Sequence, residues 1–483
     1  MTDAIQIGLA LGLPLLGAVG IGLARRNPNL RETVTLATAF ALALAVWSLV
    51  PAVQAGLRPE LVIAELLPGV QLAFRVEPLG MLFAGLASLL WIFNSIYSIG
   101  YMRGNHEAHQ TRFYACFAIA LSATMGIAFA GNLLTLFLCY EALTLSTYLL
   151  VAHKGDPNAV KAARVYLGIL LCTSIGFFLP ALIWTWQLTG TLDFVPGGLY
   201  GEDIPSLTLG LLFVLFVFGT GKAALMPVHR WLPAAMVAPT PVSALLHAVA
   251  VVKSGVFVII KLVVYVFGAD NLPAIGTELV IYVAAFTTIA ASIVALQQTN
   301  LKRLLAYSTV GQLAFIVLAV CALAPLAAPG AALHLVSHAF GKITLFFAAG
   351  AIYTASKKTE LSQLAGIGYR MPLTMAAFSI GALSMIGMPP TAGFVSKWYV
   401  LSGALQADNL VVPVTIMASG LLNAAYFLPI LYSAWIRRPD EQDQHGEAPW
   451  PILIAITATA LMTLAFFVYN RPAHGLEVQL FGS

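Results

Sequence analysis

The sequence predicts an all-α, polytopic membrane protein of about fourteen transmembrane helices. Three observations carry that prediction. First, of 483 residues 60% are hydrophobic and only 9% are charged, with a mean hydropathy of +0.89, whereas a soluble domain is roughly 25% charged. So few charges cannot cover a water-facing surface, which excludes a soluble enzyme. The 24 Lys and Arg against 20 Asp and Glu leave a net charge of only +4, too weak a field to draw in nucleic acid. Second, apolar stretches long enough to cross a bilayer recur along the whole chain. Third, the cations are sorted between alternate loops.

Taking ~20 apolar residues as one crossing, the stretches fall at about 4–24, 33–55, 78–101, 112–130, 131–152, 160–187, 206–225, 241–266, 273–297, 304–323, 331–353, 372–405, 410–436 and 450–469. The first begins Met-Thr-Asp-Ala without a basic leader, so it reads as a retained span and not as a cleaved signal peptide. Loops after odd-numbered spans hold 16 of the 24 cations, among them Arg25, Arg103, Lys154, Lys302 and Arg438. Loops after even-numbered spans hold Arg58 and Arg75, and the tail holds Arg471. By the positive-inside rule the odd loops are cytoplasmic, so both termini face outward from an inner (plasma) membrane.

Two spans are interrupted. The seventh runs into Gly219-Thr-Gly-Lys222-Ala-Ala-Leu-Met-Pro227-Val-His-Arg-Trp-Leu-Pro233, and the twelfth into Gly387-Met-Pro-Pro-Thr-Ala-Gly-Phe-Val-Ser-Lys397. Proline removes a helical hydrogen bond and collides with the preceding turn, so helices 7 and 12 should be discontinuous. Each break carries a lysine, and the two spans lie five steps apart, an odd number. Breaks at corresponding places in two halves of opposite topology point to inverted repeats around a mid-membrane site. The expected division is an N-terminal three-helix segment (1–110), two five-helix repeats (111–267 and 268–437), and a C-terminal helix and tail (438–483).

Lys222, Lys253, Lys261, Lys342 and Lys397 lie inside apolar stretches, and Glu141 is the one carboxylate deep in such a stretch, with Glu77 and Glu278 near span entrances. A charge at the bilayer centre costs from ~3 to above 10 kcal/mol, which makes these residues functional candidates. Lys261 is the exception, because its stem is long enough to snorkel to the interface. Lys222 is the expected ion-pair partner of Glu141, with Thr144, Thr147 and Tyr148 extending a polar stripe from the carboxylate. His334, His338 and Lys342 recur at every fourth residue, on one helical face, and suit a proton relay. The His-x3-His spacing also allows a metal, but no carboxylate lies nearby to complete a ligand set. His247 and Lys253 sit about 120° apart on their helix and serve as stations if water joins them.

Other chemistry is not legible. Gly219-Thr-Gly221-Lys222 lacks the spacing of a phosphate-binding loop, and there is no dinucleotide fingerprint, Ser-His-Asp set or haem-type histidine pairing. No cofactor is expected. Cys116, Cys139, Cys172 and Cys321 are scattered through apolar sequence and read as small buried hydrophobes.

The runs Tyr140-Glu141-Ala-Leu-Thr-Leu-Ser-Thr-Tyr148, Lys222-Ala-Ala-Leu-Met-Pro227-Val-His-Arg-Trp231 and Ala238-Pro-Thr-Pro-Val-Ser-Ala-Leu-Leu-His247 resemble the antiporter-like subunits. These are shared by respiratory complex I, membrane-bound hydrogenases and Mrp-type cation/proton antiporters. The resemblance covers roughly residues 75–440. It implies proton-transfer roles for Glu141, Lys222, His247, Lys253, His338, Lys342 and Lys397, and His334 joins this set on spacing. Because the chain stops soon after its fourteenth span, with no long lateral helix, it looks most like the D-type member of an Mrp complex. The function this implies is proton translocation within a multisubunit membrane complex, with Na+ or K+ as the exchanged ion of an antiporter. A pump module of a quinone oxidoreductase, hydrogenase or carbon-uptake complex, and a non-transporting membrane scaffold, are the alternatives.

Overall fold

The computed structural model describes residues 2–268, 271–324, 326–406, 410–439 and 445–470; Arg471 and the tail after it lie outside the described residues. Among these, twelve helices are long and apolar enough to cross a membrane. Spans 1–6 are Thr2–Leu23, Pro28–Trp47, Pro78–Gly104, Gln110–Phe129, Leu133–Val151 and Pro157–Thr189, and span 8 is Thr240–Phe267. Spans 9–11 are Ala274–Leu296, Leu301–Cys321 and Ala327–Ser356, and spans 13 and 14 are Val411–Ile436 and Trp450–Val468. Two shorter apolar helices, Ser206–Gly219 and Pro372–Ile386, fall where spans 7 and 12 are expected. The protein is a polytopic, all-α membrane protein.

Local sequence explains the boundaries. Spans 4 and 5 are divided by Gly131-Asn132, and the Asn132 side chain caps span 5 by accepting from the Thr135 amide at 2.8 Å. Asp156 and Asn300 cap spans 6 and 10 in the same way. Among the described residues the helices are joined by one antiparallel hairpin, β1 (Glu60–Leu67) with β2 (Val70–Arg75). Its apolar run is short enough to be ambiguous between strand and helix in sequence.

Backbone contacts sort the loops into two ends. Loops after even spans meet at one: the Gly131 amide donates to the Ala73 carbonyl, the Phe194 amide to that of Gly131, and the Leu199 amide to that of Val266. Loops after odd spans meet at the other, where Asn105 reaches Thr354 and Asn300 reaches Glu360. Between these ends, spans 8, 10 and 11 are almost wholly enclosed by protein, while spans 1, 6 and 14 carry mostly outward apolar surface. The three enclosed helices are the frame of the site.

Both expected breaks are present. Span 7 ends at Gly219 and continues as the short turns Gly221–Ala223 and Val228–Arg230. The first half of span 12 stops at Gly387, whose φ of +93° suits glycine, and a second helix runs Ala392–Ala404. Further irregularities were not legible in sequence: π-turns lie at Ser174–Phe178 in span 6 and at Val263–Phe267 in span 8, and span 8 also passes through one at Leu245–Val249. No proline or glycine lies within it to announce it.

Gly255 lets span 8 approach the span 7 break. A Cβ there would sit 2.3 Å from the Ala223 amide nitrogen and 2.4 Å from the Lys222 carbonyl carbon. Gly255→Ala should therefore lower stability by ~1–3 kcal/mol, the usual cost of overpacking. Gly12→Ala, where a Cβ would meet nothing within 4 Å, is the control. Thermal unfolding of the solubilised protein measures both, and equal midpoints would contradict the close packing.

Candidate functional site

The amine of Lys222 is carried into the protein by the span 7 break and is fully buried. It donates to the Tyr140 carbonyl at 2.8 Å and to Thr144 Oγ1 at 2.6 Å, and it lies 3.1 Å from the centre of the Tyr140 ring. The Lys222 amide is held by the Tyr140 hydroxyl at 3.0 Å, and Trp231 Nε1 donates to the Gly221 carbonyl. No Glu141 oxygen lies within 4 Å of the Lys222 amine, so the expected pair is not a contact ion pair, although the carboxylate acts electrostatically on the amine. Tyr140 and Thr144, one turn apart, face the break together, while Glu141 is turned about 100° away toward the helix edge. Its two carboxylate oxygens are buried and have no hydrogen-bond partner among the described residues. The polar stripe along span 5 thus belongs to Lys222 and not to the carboxylate; Thr147 bonds the Tyr166 hydroxyl at 2.6 Å.

From the break the site continues through span 8. Gly255 touches the Lys222 backbone, and two residues earlier Lys253 Nζ stands 2.6 Å from His338 Nδ1 on span 11. With the lysine donating, His338 accepts at Nδ1 and carries its proton on Nε2. His247 lies in the π-turn, fully buried, with its ring 4.6 Å from that of Phe346 and both nitrogens unpartnered among the described residues.

The predicted stripe on span 11 is present, and its members reach three different helices. His334 Nδ1 is 2.8 Å from Ser396 Oγ on span 12, and its Nε2 is 3.0 Å from Gln312 Oε1 on span 10. The rings of His334 and His338 lie 6.0 Å apart. Lys342 Nζ donates to Ser308 Oγ at 2.7 Å and to the Leu305 carbonyl at 3.3 Å, both on span 10. Lys397, next to Ser396, donates to the carbonyls of Met385 at 2.6 Å and Ile386 at 3.2 Å. Those carbonyls end the first half of span 12, where the helix dipole is negative and favours an ammonium.

Several members of this network were missed by sequence reasoning: Tyr140, Ser308, Gln312, Ser396 and, on span 13, Asn423, which donates to the Met385 carbonyl, and Tyr426, which donates to Ser308 Oγ. All are uncharged, and a neutral polar residue in a span is too common to stand out. Ser308 and Gln312 do share a face of span 10 at i, i+4, the one signal that could have found them.

Two expectations are corrected. Lys261 does not snorkel. It is fully buried, pairs with Glu77 at 3.1 Å and donates to the Ala130 carbonyl at 2.7 Å. The amine also lies 4.3 Å from the centre of the Phe194 ring, and with Glu77 and the Ala130 carbonyl this holds it inside the protein. Cys172 is exposed on the apolar surface of span 6 and Cys139 is half-buried, so only Cys116 and Cys321 are buried cysteines.

A polytopic helical protein whose enclosed helices hold a line of buried amines and imidazoles between two broken spans belongs to the ion-translocating class of membrane proteins. Residues 130–422 match the family model described as NADH:quinone oxidoreductase/Mrp antiporter, transmembrane. The chain belongs to this family and is an antiporter-like subunit of the kind found in multisubunit membrane complexes. It is 35% identical over 373 residues, 76% of its length and 72% of the relative, to NADH-quinone oxidoreductase subunit N of Desulforudis audaxviator (strain MP104C). It is 30% identical to the A/B component of a probable K(+)/H(+) antiporter of Rhizobium meliloti (strain 1021), over 77% of this chain and 37% of that one. It spans 55% and 63% of two other relatives. The solved Mrp complex from Dietzia sp. DQ12-45-1b contains a chain of the same fold, with a TM-score of 0.88, 21% identity and coverage of 99% and 98%.

The Lys261–Glu77 pair should behave as a fixed brace. Lys261→Met or Glu77→Gln alone should cost ~3–5 kcal/mol, because each leaves a buried charge uncompensated. The double variant should recover most of that loss. A thermal-stability cycle measures it, and additive losses would mean that the two groups are not paired in the membrane.

Proposed function

We propose that this chain translocates protons along the line Glu141, Lys222, Lys253 with His247, His338 with His334 and Lys342, and Lys397. The observation that carries the reading is the 2.6 Å contact between Lys253 and His338. It joins the helix that packs on one break to the helix that leads to the other. Four of the five buried lysines have no carboxylate within 4 Å among the described residues. Such amines are costly to keep charged at once, so their charges are suited to occupancy in turn. In this reading residues 111–267 and 268–437 are the two inverted repeats, the odd loops are cytoplasmic and both termini face outward. Monovalent cation/proton antiport in an Mrp-type complex, with this chain in the D-type position, is the assembly proposed first. Its exchanged ion is Na+ or K+.

A second reading, a proton-pumping module of a redox complex, is favoured by the 35% identity to a protein named as part of an NADH-quinone oxidoreductase. Both readings need the same line of groups. Transport assays on membrane vesicles holding the whole complex test them together. Lys222→Met, Lys342→Met and Glu141→Gln should each reduce proton movement by ~100-fold or more, the scale of a lost proton-transfer group, while the complex still assembles. Wild-type rates in all three variants would instead make the chain a scaffold. Dependence of the wild-type rate on Na+ or K+, as against a quinone reductant, separates the two assemblies.

A further inference from the structure

Among the described residues, His334 is the ring of the span 11 stripe with a side-chain partner on both nitrogens, and the two partners differ in kind. Gln312 Oε1 only accepts and lies 3.0 Å from Nε2, so Nε2 carries a proton whether the ring is neutral or charged. Any change in proton count therefore falls on Nδ1, which lies 2.8 Å from Ser396 Oγ on the second half of span 12. Ser337, one turn past His334, sets its own hydroxyl 2.8 Å from the same oxygen. His334, Ser337 and Ser396 are all fully buried.

A neutral ring needs a donor at Nδ1, and a charged ring needs an acceptor there. A hydroxyl serves as either, provided that its own proton has a second place to go. For Ser396 that place exists, because its hydroxyl also reaches the Gly393 carbonyl at 3.3 Å. Ser337 has a second acceptor as well, the His334 carbonyl at 3.4 Å. With the ring neutral, Ser337 donates to Ser396 and Ser396 donates to Nδ1. With the ring charged, Nδ1 donates to Ser396 and the Ser396 proton turns to Gly393. Neither state leaves a ring nitrogen or a buried hydroxyl unmet. Both serines keep their own protons, and the proton that His334 gains is supplied by the relay.

We infer that Ser396 and Ser337 are positioning residues for His334, a pair of turning hydroxyls that accommodates its imidazole with one proton or with two. A carboxylate in the place of Ser396 would hold the ring charged, and an ammonium would hold it neutral. The contrast with His338 is direct, since its Nδ1 faces the Lys253 amine. The charged and titratable groups around His334 are Lys397 and Tyr399 on the second half of span 12, Lys253 and His247 on span 8, and His338 and Lys342 on its own helix. Span 14 carries no charged residue, and those of spans 3 and 10 sit in the end turns, at Arg103, Lys302 and Arg303. None of these groups contacts Nδ1; the Ser396 hydroxyl does.

This inference rests on the proton-translocation reading above, and the test separates the two. Ser396→Ala, Ser396→Cys, Ser396→Thr and Lys342→Met are introduced into the complete complex, and proton movement in vesicles is followed across pH. The rate falls on the alkaline side as His334 ceases to take its second proton. A hydrogen bond to a charged group is roughly twice as strong as one to a neutral group, so losing the hydroxyl harms the charged ring more. Ser396→Ala should therefore move the alkaline limb toward acid by about one pH unit. Ser396→Cys, close to serine in size but a weak acceptor, should move it the same way, and it serves where alanine lowers assembly. Ser396→Thr keeps a hydroxyl and should keep the wild-type limb; a shift equal to that of alanine would overturn the inference. A purely structural role would change the amount of assembled complex without moving the limb. If Lys342→Met is inactive while the alanine and cysteine variants keep the wild-type limb, the hydroxyl pair is wrong and the relay stands. If Lys342→Met transports normally, the relay itself fails and the inference with it.

Discussion

The rest of this structure depends on the cost of holding ammonium groups in hydrocarbon with no carboxylate in contact. Desolvation of one such ion costs several kcal/mol even after the protein relaxes. The chain offsets that cost with neutral dipoles. Lys222 has the Tyr140 carbonyl and Thr144, Lys342 has Ser308 and the Leu305 carbonyl, and Lys397 has two helix-end carbonyls. Dipoles of this kind tolerate a charge without locking it in place, whereas a carboxylate in contact would fix the proton.

The broken helices follow from that requirement. An intact helix has its carbonyls engaged in its own ladder, so a mid-helix carbonyl such as that of Tyr140 or Leu305 is shared with an amine, and carbonyls free of the ladder occur where the helix stops. Ending the first half of span 12 at Ile386 places the Met385 and Ile386 carbonyls beside Lys397. Ending span 7 at Gly219 lets Lys222 turn inward onto span 5, and Gly255 provides the room for that turn against span 8. Irregular backbone at membrane depth is tolerated because spans 8, 10 and 11 shield it from lipid.

The spans, the two breaks and the charged candidates were legible in the sequence for one reason. A proline or a lysine in apolar sequence is rare and costly, so its presence carries information. Partner choice was less legible. Glu141 and Lys222 fall in neighbouring motifs, yet the step of about 100° between residues 140 and 141 decides that Tyr140 and not Glu141 receives the amine. Glu77 reads as an interfacial residue because it precedes span 3, and only the packing of span 3 beside span 8 buries it against Lys261. Ser308, Gln312 and Tyr426 are visible only once spans 10, 11 and 13 have packed. The sequence marks charges, while the hydrogen-bonding environment that tunes them is tertiary.

The contrast between Lys261 and the other four lysines argues that the unpaired state of the axis is a design and not a deficiency of carboxylates. This chain can bury a Lys–Glu pair and does so at the end of span 8, where Lys261 meets Glu77 at 3.1 Å. Earlier on the same helix Lys253, equally buried, is given an imidazole instead. Both solutions satisfy an amine, but they differ in what the partner does next. A carboxylate holds the charge where it is. An imidazole accepts a proton at one nitrogen and offers one from the other, and at His338 that second nitrogen is buried with no hydrogen-bond partner among the described residues. Within one helix, therefore, one buried lysine is given a partner that fixes its charge and the other a partner that can itself exchange a proton.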